Sequence, residues 1–169
     1  DSEFAQKWGA LSTAVEENGL RDPIKAYEYM NQFYVEEGNK RVSVSKFFDG
    51  IEIPGFVTRI IPKKSEDKEN KIYFDFLDFY ELSHVNYIWF TKEGSFAKLQ
   101  ELVGKEPDEI WSDDDRMDFY SIYYRFKKEY ENKNTDLSIT TGDAFLSFME
   151  VHGYNNICNF YSDELKKMI

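Results

Sequence analysis

The chain has 169 residues, of which 32 are acidic and 21 are basic, so its formal net charge at neutral pH is -11. Hydrophobic residues make up 41% of the sequence, which is enough to build a core without disulfides or metal and excludes an intrinsically disordered chain. The negative charge repels phosphates and anionic lipid and attracts basic proteins. It therefore disfavours nucleic acid and membranes as main partners.

The compartment is inferred from what the sequence lacks. No apolar run approaches the length of a bilayer, and the first residues do not have the basic and then apolar order of a signal peptide. The single cysteine, Cys158, cannot form an internal disulfide, which favours a reducing compartment. We therefore expect a soluble, cytoplasmic protein. N-terminal processing stays open because the first residue is Asp1 rather than Met.

Residues 1–38 predict a helical hairpin. Apolar side chains recur there at helical spacing in two runs, Phe4, Trp8, Leu11 and Val15, and then Ile24, Tyr27, Met30 and Tyr34. Gly19 is placed to end the first helix, and Asp22 followed by Pro23 is a typical start for the second.

Residues 41–91 predict a central antiparallel sheet, because the apolar period changes to that of strands. Strands are predicted at 42–48, 51–61, 72–77 and 85–91. A small OB-like barrel is one way to close such a sheet. In the third strand, alternation would place Asp75 and Asp78 on opposite faces.

The remainder of the chain predicts helices again. A short helix is expected between Ser95 and Gly104, a long one after Ser112, and two more after Thr140 and Ser162. No internal repeat and no Pro/Gly/Ser-rich linker divides the sequence. We therefore predict one α+β domain over 1–169, with helices before and after a central sheet.

The densest charge cluster consists of seven acidic residues around the start of the long helix. These are Glu106, Asp108, Glu109, Asp113, Asp114, Asp115 and Asp118. Acidic residues in a first turn are expected because they complement the helix dipole. A calcium loop starting at Asp113 is excluded, because its sixth and twelfth positions hold Asp118 and Tyr124 instead of Gly and Glu.

The main hypothesis is that these seven carboxylates bind a basic protein partner. The chain would then be a non-catalytic binding protein of the inhibitor, immunity-protein or nucleic-acid-mimic type. A further hypothesis is a metal-dependent enzyme that uses residues 113–118. No GxSxG, HExxH, P-loop, GxGxxG or CxxC motif is present, so no catalytic residue and no cofactor is predicted. The sequence does not indicate an oligomeric state.

The alternative hypothesis is a protein that binds single-stranded nucleic acid on an OB-like sheet. Aromatic side chains on strands would stack on bases, and basic side chains would contact phosphates. The residues available for these roles are Tyr73, Tyr87 and Trp89 for stacking, and Arg59, Lys63 and Lys64 for phosphates. Acidic residues interrupt this basic stretch, and aromatic residues at strand spacing are more often part of a core.

Overall fold

The computed structural model describes residues 2–18, 22–48, 50, 53–133, 139–159 and 162–169. The chain divides into two compact units, Asp1–Lys63 and Lys64–Ile169. The mixed α+β class is confirmed, since helices occur together with a three-stranded sheet. That the whole chain folds as one domain stays a prediction. Within the described residues, no helix is long and apolar enough to cross a lipid bilayer.

The first unit contains two helices and three strands. In chain order they are α1 (Ser2–Asn18), β1 (Ile24–Tyr29), β2 (Gln32–Glu37), α2 (Asn39–Phe47) and β3 (Gly55–Arg59). The strand order is β2-β1-β3, with β1 antiparallel to β2 and parallel to β3. Alternate residues of β1 are buried, namely Ile24, Ala26 and Glu28. Strand β1 therefore has one buried and one exposed face, whereas the residues of β2 and β3 are mostly exposed.

The predicted helical hairpin was wrong in its second half. Helix α1 forms as predicted, but β1 and β2 form a β-hairpin where the second helix was expected. Its two turn residues, Met30 and Asn31, both have positive φ, 50° and 61°, as a two-residue hairpin turn with the right-handed strand twist requires. Apolar side chains in this stretch recur both at helical spacing and at every second residue. The strand spacing places Ile24 and Ala26 on the same buried face of β1.

The predicted strand at 42–48 was also wrong, because this stretch belongs to α2. The helix begins after Gly38, whose φ of 105° favours glycine. A Cβ at Gly38 would lie 2.5 Å from Cγ2 of Ile24, so the chain passes close to β1 at this point. Within the predicted strand at 51–61, β3 is found directly after Pro54.

The regular elements of the second unit are all helices, within the residues that the structure describes. In chain order it contains α3 (Lys68–Ser83), α4 (Ser95–Leu102), α5 (Asp113–Asn132), α6 (Thr141–His152), α7 (Tyr154–Ile157) and α8 (Ser162–Met168). Its core is mainly aromatic, with the largest fully buried side chains being Trp111, Tyr73, Phe76, Phe90, Phe96, Phe119, Phe126 and Phe145. The free energy gained by burying these large rings offsets the conformational entropy that is lost when the long connector at 84–94 is ordered.

The strands predicted at 72–77 and 85–91 do not form. The first stretch lies within α3, and the second lies in the connector between α3 and α4. Helix α3 buries Ile72, Phe76, Phe79 and Ser83, which are three or four residues apart. The OB-like barrel is therefore not formed, since the sheet found in the described residues is open and has three strands.

The helices predicted after residue 95 are confirmed as α4, α5, α6 and α8. Helix α5 begins with a capping box, in which the Ser112 side chain accepts a hydrogen bond from the Asp115 amide and the Asp115 side chain accepts one from the Ser112 amide. The Thr140 side chain caps α6 by accepting from the Asp143 amide. For α4 the N-cap residue is Gly94 rather than Ser95.

Candidate functional site

The seven predicted carboxylates all lie in the second unit, on the connector 103–112 between α4 and α5 and on the first turns of α5. We call this set the acidic surface; it comprises Glu106, Asp108, Glu109, Asp113, Asp114, Asp115 and Asp118. The capping box fixes where α5 starts, so it also fixes the positions of the four aspartates on that helix.

Three members of the acidic surface are held by basic residues of the same unit. Asp115 Oδ2 accepts hydrogen bonds from the Ser112 amide at 2.8 Å and Oγ at 2.7 Å, and it lies 2.9 Å from Lys105 Nζ. The hydrogen bond from Lys105 is the main cause that lowers the pKa of Asp115 to about 2. Lys105 Nζ also contacts Glu109 Oε1 at 2.8 Å, and Arg116 pairs with Asp113. These three carboxylates therefore stabilise the local structure.

The other four carboxylates of the acidic surface are exposed, and none of them forms an ion pair with any residue that the structure describes. They are Glu106, Asp108, Asp114 and Asp118. On α5, Asp114 and Asp118 are four residues apart and lie on one exposed face together with Met117. They are available to an external cation.

Two apolar side chains are exposed within the acidic surface. Ile110 is 68% exposed and Met117 is 62% exposed. In protein interfaces, a polar rim typically surrounds apolar side chains that the partner desolvates. The carboxylates around Ile110 and Met117 have this arrangement. The sequence analysis did not identify these two residues, whose exposure depends on the packing of the connector.

The connector is held rigidly by a buried amide. Gln100 on α4 donates two hydrogen bonds from Nε2, to the carbonyl oxygens of Glu106 at 2.8 Å and Glu109 at 2.9 Å. Its Oε1 accepts a hydrogen bond of 2.7 Å from Trp111 Nε1. Because both side chains are buried, the backbone that carries Glu106 and Glu109 is fixed to α4.

A groove of about 660 Å³ opens between α3, α4 and the start of the connector. Four carboxylates line it, those of Asp75, Asp78, Glu101 and Glu106, against one ammonium group, that of Lys105. The predicted placement of Asp75 and Asp78 on opposite faces was wrong. In helix α3 their spacing of three residues puts them on one side, where both line the groove.

The described residues contain no group of three or more His, Cys, Asp or Glu side chains arranged to hold a metal ion. Asp113 contacts Arg116, and Asp115 contacts Lys105 and Ser112, so these two carboxylates of the 113–118 stretch already have protein partners. This arrangement gives the hypothesis of a metal-dependent enzyme no support.

The cysteine and the histidines do not form a nucleophilic site within the described residues. Cys158 Sγ donates a hydrogen bond of 3.2 Å to the Tyr154 carbonyl oxygen, and burial raises the pKa of its thiol, which favours the unreactive protonated form. The ring of His152 lies 4.4 Å from that of Phe148, and the ring of His84 lies 5.6 Å from that of Tyr80. Both imidazoles therefore contact aromatic side chains.

The structure does not arrange the residues of the nucleic-acid alternative on one sheet. Tyr73 lies on α3 with a fully buried side chain, and Tyr87 and Trp89 lie in the connector 84–94, where their rings pack against the aromatic core. Arg59 lies on β3 in the first unit and pairs with buried Glu28. Lys63 and Lys64 are exposed in the segment that follows β3, and the Lys64 ammonium lies over the ring of Phe74.

The exposed face of the three-stranded sheet carries aromatic side chains that the sequence analysis did not assign to a shared surface. Tyr27 and Tyr34 are opposite each other on β1 and β2, and Phe56 lies opposite Lys25 on β3. Together with Tyr29, these aromatic residues are between 38% and 69% exposed. The sequence analysis missed this face because it predicted a helix over residues 22–38. Which residues share a sheet face depends on how the strands pair.

The comparisons with known proteins do not identify a relative, since no protein-family model, no curated protein and no solved structure matches this chain.

Proposed function

We propose that this chain is a non-catalytic binding protein whose acidic surface docks on a basic protein partner. The observation that carries the proposal is how the charges of the second unit are distributed. The basic side chains nearest the acidic surface, Lys105 and Arg116, are used in ion pairs with Glu109, Asp115 and Asp113. The remaining four carboxylates of the acidic surface therefore keep their full negative charge toward solvent.

The charge is also unevenly divided along the chain. Residues 64–169 contain 22 acidic and 13 basic side chains, a net charge of -9, whereas residues 1–63 contain 10 acidic and 8 basic ones, a net charge of -2. A field of this kind attracts a basic protein over a distance of about one Debye length and accelerates its association. The second unit is therefore the part of the chain that we expect to meet the partner first.

Ile110 and Met117 supply the apolar contacts that the charged carboxylates cannot make. Exposed carboxylates mainly affect the rate of association, whereas apolar side chains that are desolvated in a complex slow its dissociation. The acidic surface has both components within a few residues, and its backbone is fixed by Gln100. A pre-ordered surface loses little conformational entropy when it binds.

The test is a binding assay with poly-L-lysine as a soluble basic probe, followed by affinity capture of a partner. Asp114→Asn/Asp118→Asn should weaken poly-L-lysine binding about tenfold at low salt, which corresponds to 1.4 kcal/mol. Ile110→Ser/Met117→Ser should leave poly-L-lysine binding unchanged and should abolish capture of the folded partner. Binding of both ligands should weaken as salt is raised, because screening reduces attraction between exposed charges.

Glu81→Gln/Glu150→Gln is the matched control, because it removes the same charge from exposed positions on α3 and α6 outside the acidic surface. The control should bind nearly as wild type. Binding that does not depend on salt, or equal losses in the control and in the Asp114/Asp118 variant, would argue against a localised acidic docking surface.

A second candidate function, binding of single-stranded nucleic acid, is favoured by the exposed aromatic face of the sheet. Aromatic side chains on neighbouring strands can stack on successive bases. The surrounding charge is not favourable, because Lys25 on this face is paired with Glu37 at 3.0 Å. Titration of the chain with a polythymidine oligonucleotide at low salt, read by tyrosine fluorescence, tests this function. Quenching that is lost in Tyr27→Ala/Tyr34→Ala would support it, and no quenching would exclude it.

A further inference from the structure

The groove between α3 and α4 has a mainly apolar lining. Phe79, Leu82, Phe96, Ala97 and Pro107 contribute to it. Its volume of about 660 Å³ is in the range of pockets that hold a short peptide segment or a small organic molecule, and is larger than one ion needs. An occupant would therefore place carbon atoms against this lining.

The charged groups of the groove are almost all negative. Asp78 and Glu101 are exposed, Glu106 belongs to the acidic surface, and Asp75 accepts a hydrogen bond of 2.8 Å from the Gly94 amide. Glu101 is paired with Lys98, whose Nζ lies 3.1 Å from its Oε2, and Lys105 Nζ contacts Glu109 and Asp115 instead of the groove carboxylates. Asp78 and Glu106 therefore form no ion pair with any residue that the structure describes. A ligand that suits this groove is therefore cationic.

An apolar lining together with carboxylates matches one kind of side chain. Arginine and lysine have an aliphatic stem that packs on apolar surface and a charged head that pairs with carboxylates. A free metal ion would leave the apolar lining unused, and an anionic or neutral apolar ligand would leave the carboxylates of Asp78 and Glu106 without a partner. Glu106 is shared between the groove and the acidic surface, so the two are continuous.

We propose that the groove between α3 and α4 binds an arginine- or lysine-containing segment of the basic partner. This inference rests on the proposed function, because it assigns to the groove the extended basic segment of a protein whose folded surface docks on the acidic surface. The stem of the basic side chain lies against Leu82, Ala97 and Pro107. Its charged head lies beside Asp78 and Glu106.

The test measures fluorescence anisotropy of a labelled oligo-arginine peptide and of an oligo-citrulline peptide of the same length, which keeps the shape and removes the charge. The groove is altered in two independent ways. Asp78→Asn/Glu106→Gln removes charge, and Ala97→Trp fills the groove without changing charge. Ala97→Ser is the control for the filled groove, and Glu81→Gln/Glu150→Gln is the control for the lost charge. All these positions are exposed, so the variants should fold, which thermal unfolding verifies.

Each groove variant should weaken oligo-arginine binding about tenfold, and each control should change it less than about twofold. Oligo-citrulline should bind neither wild type nor variants. If Ala97→Trp binds oligo-arginine as wild type does, the groove is not the site and the inference is overturned. If only Asp114→Asn/Asp118→Asn weakens binding, the inference fails while the proposed function survives. If wild type does not bind oligo-arginine at low salt, both fail.

Discussion

Trp111 Nε1 donates a hydrogen bond of 2.7 Å to Oε1 of Gln100, and both side chains are buried. The same amide group donates hydrogen bonds to the carbonyl oxygens of Glu106 and Glu109, so all three of these hydrogen bonds join α4 to the connector that carries part of the acidic surface. A single side chain thus connects the helical core to the candidate docking surface.

Gln100→Leu should lower the free energy of unfolding of the second unit. The substitution keeps the volume but leaves the buried Trp111 indole N–H and the backbone carbonyl groups of Glu106 and Glu109 without this partner, and we expect a loss of about 3 kcal/mol in urea unfolding. Trp111→Phe removes one of the donors, so the double variant Gln100→Leu/Trp111→Phe should lose less than the sum of the single losses. A Gln100→Leu variant as stable as wild type would show that water replaces the amide.

Gly142→Ala should destabilise the second unit because there is no room for a side chain at this position. A Cβ at Gly142 would lie 2.0 Å from the carbonyl oxygen of Trp89, so the backbone of α6 or of the connector 84–94 has to move. We expect a loss of about 2 kcal/mol in the free energy of unfolding. Gly9 is the matched control, because it lies in α1 with no atom within 4 Å of the added Cβ. Gly9→Ala should instead stabilise by about 0.7 kcal/mol.

The elements that could be predicted from the sequence are those whose signals are local. The start of α5 at Ser112 depends on a capping box of four consecutive residues, and the start of α6 depends on Thr140 and Asp143. Such signals operate within one turn and do not depend on what the helix packs against.

The failures occurred where one stretch satisfies two periods. Phe74, Phe76 and Asp78 alternate as a strand would, but Phe76, Phe79 and Ser83 have helical spacing, and packing in an aromatic core decided in favour of the helix. The acidic surface could be located because its carboxylates are near in sequence. The groove could not, because Asp78 and Glu101 are brought together only when α3 packs on α4.

The stability of the second unit should decrease in acid through Asp115. Its pKa in the folded protein is about 2, below the ordinary value of 3.8, so the unfolded chain binds this proton more tightly. The stabilisation is therefore complete above about pH 4 and is lost as the pH falls to about 2. Asp115→Asn should lower the free energy of unfolding at neutral pH and flatten its decrease over this range in urea titrations.

The capping box itself is tested by Ser112→Ala, which should cost about 1 kcal/mol at neutral pH. Asp114→Asn is the matched control, since it removes a neighbouring carboxylate outside the capping box and outside the ion pairs of Lys105. The control should keep nearly the wild-type stability at neutral pH. A Ser112→Ala variant with wild-type stability would contradict a stabilising capping box.

Tyr130→Phe should stabilise the second unit. The Tyr130 hydroxyl is buried and has no hydrogen-bond partner among the described residues, although its ring packs on Phe126 with centroids 5.6 Å apart. Phenylalanine keeps the ring contact and removes the unsatisfied hydroxyl, so the free energy of unfolding should rise by about 1 kcal/mol. Tyr29→Phe, at an exposed position, should change it little. A loss of stability in Tyr130→Phe would show that the hydroxyl has a partner in solution.

Arg59→Met should destabilise the first unit, because Arg59 stabilises a buried carboxylate on the neighbouring strand. Arg59 Nε donates a hydrogen bond of 2.6 Å to Oε2 of Glu28, whose side chain is 1% exposed, and Glu28 Oε1 accepts one of 2.7 Å from the Asn31 amide at the hairpin turn. Removing the guanidinium leaves a buried negative charge without its main counterion. We expect a loss of about 3 kcal/mol in the free energy of unfolding.

The double variant Glu28→Gln/Arg59→Met separates this ion pair from general packing. It should be more stable than Arg59→Met alone, because no buried charge is left, while the neutral amide can still accept from Asn31. Lys25→Met is the control, since Lys25 forms an exposed pair with Glu37 between β1 and β2, and its loss should hardly change stability. If Arg59→Met unfolds like wild type, Arg59 is not a structural residue.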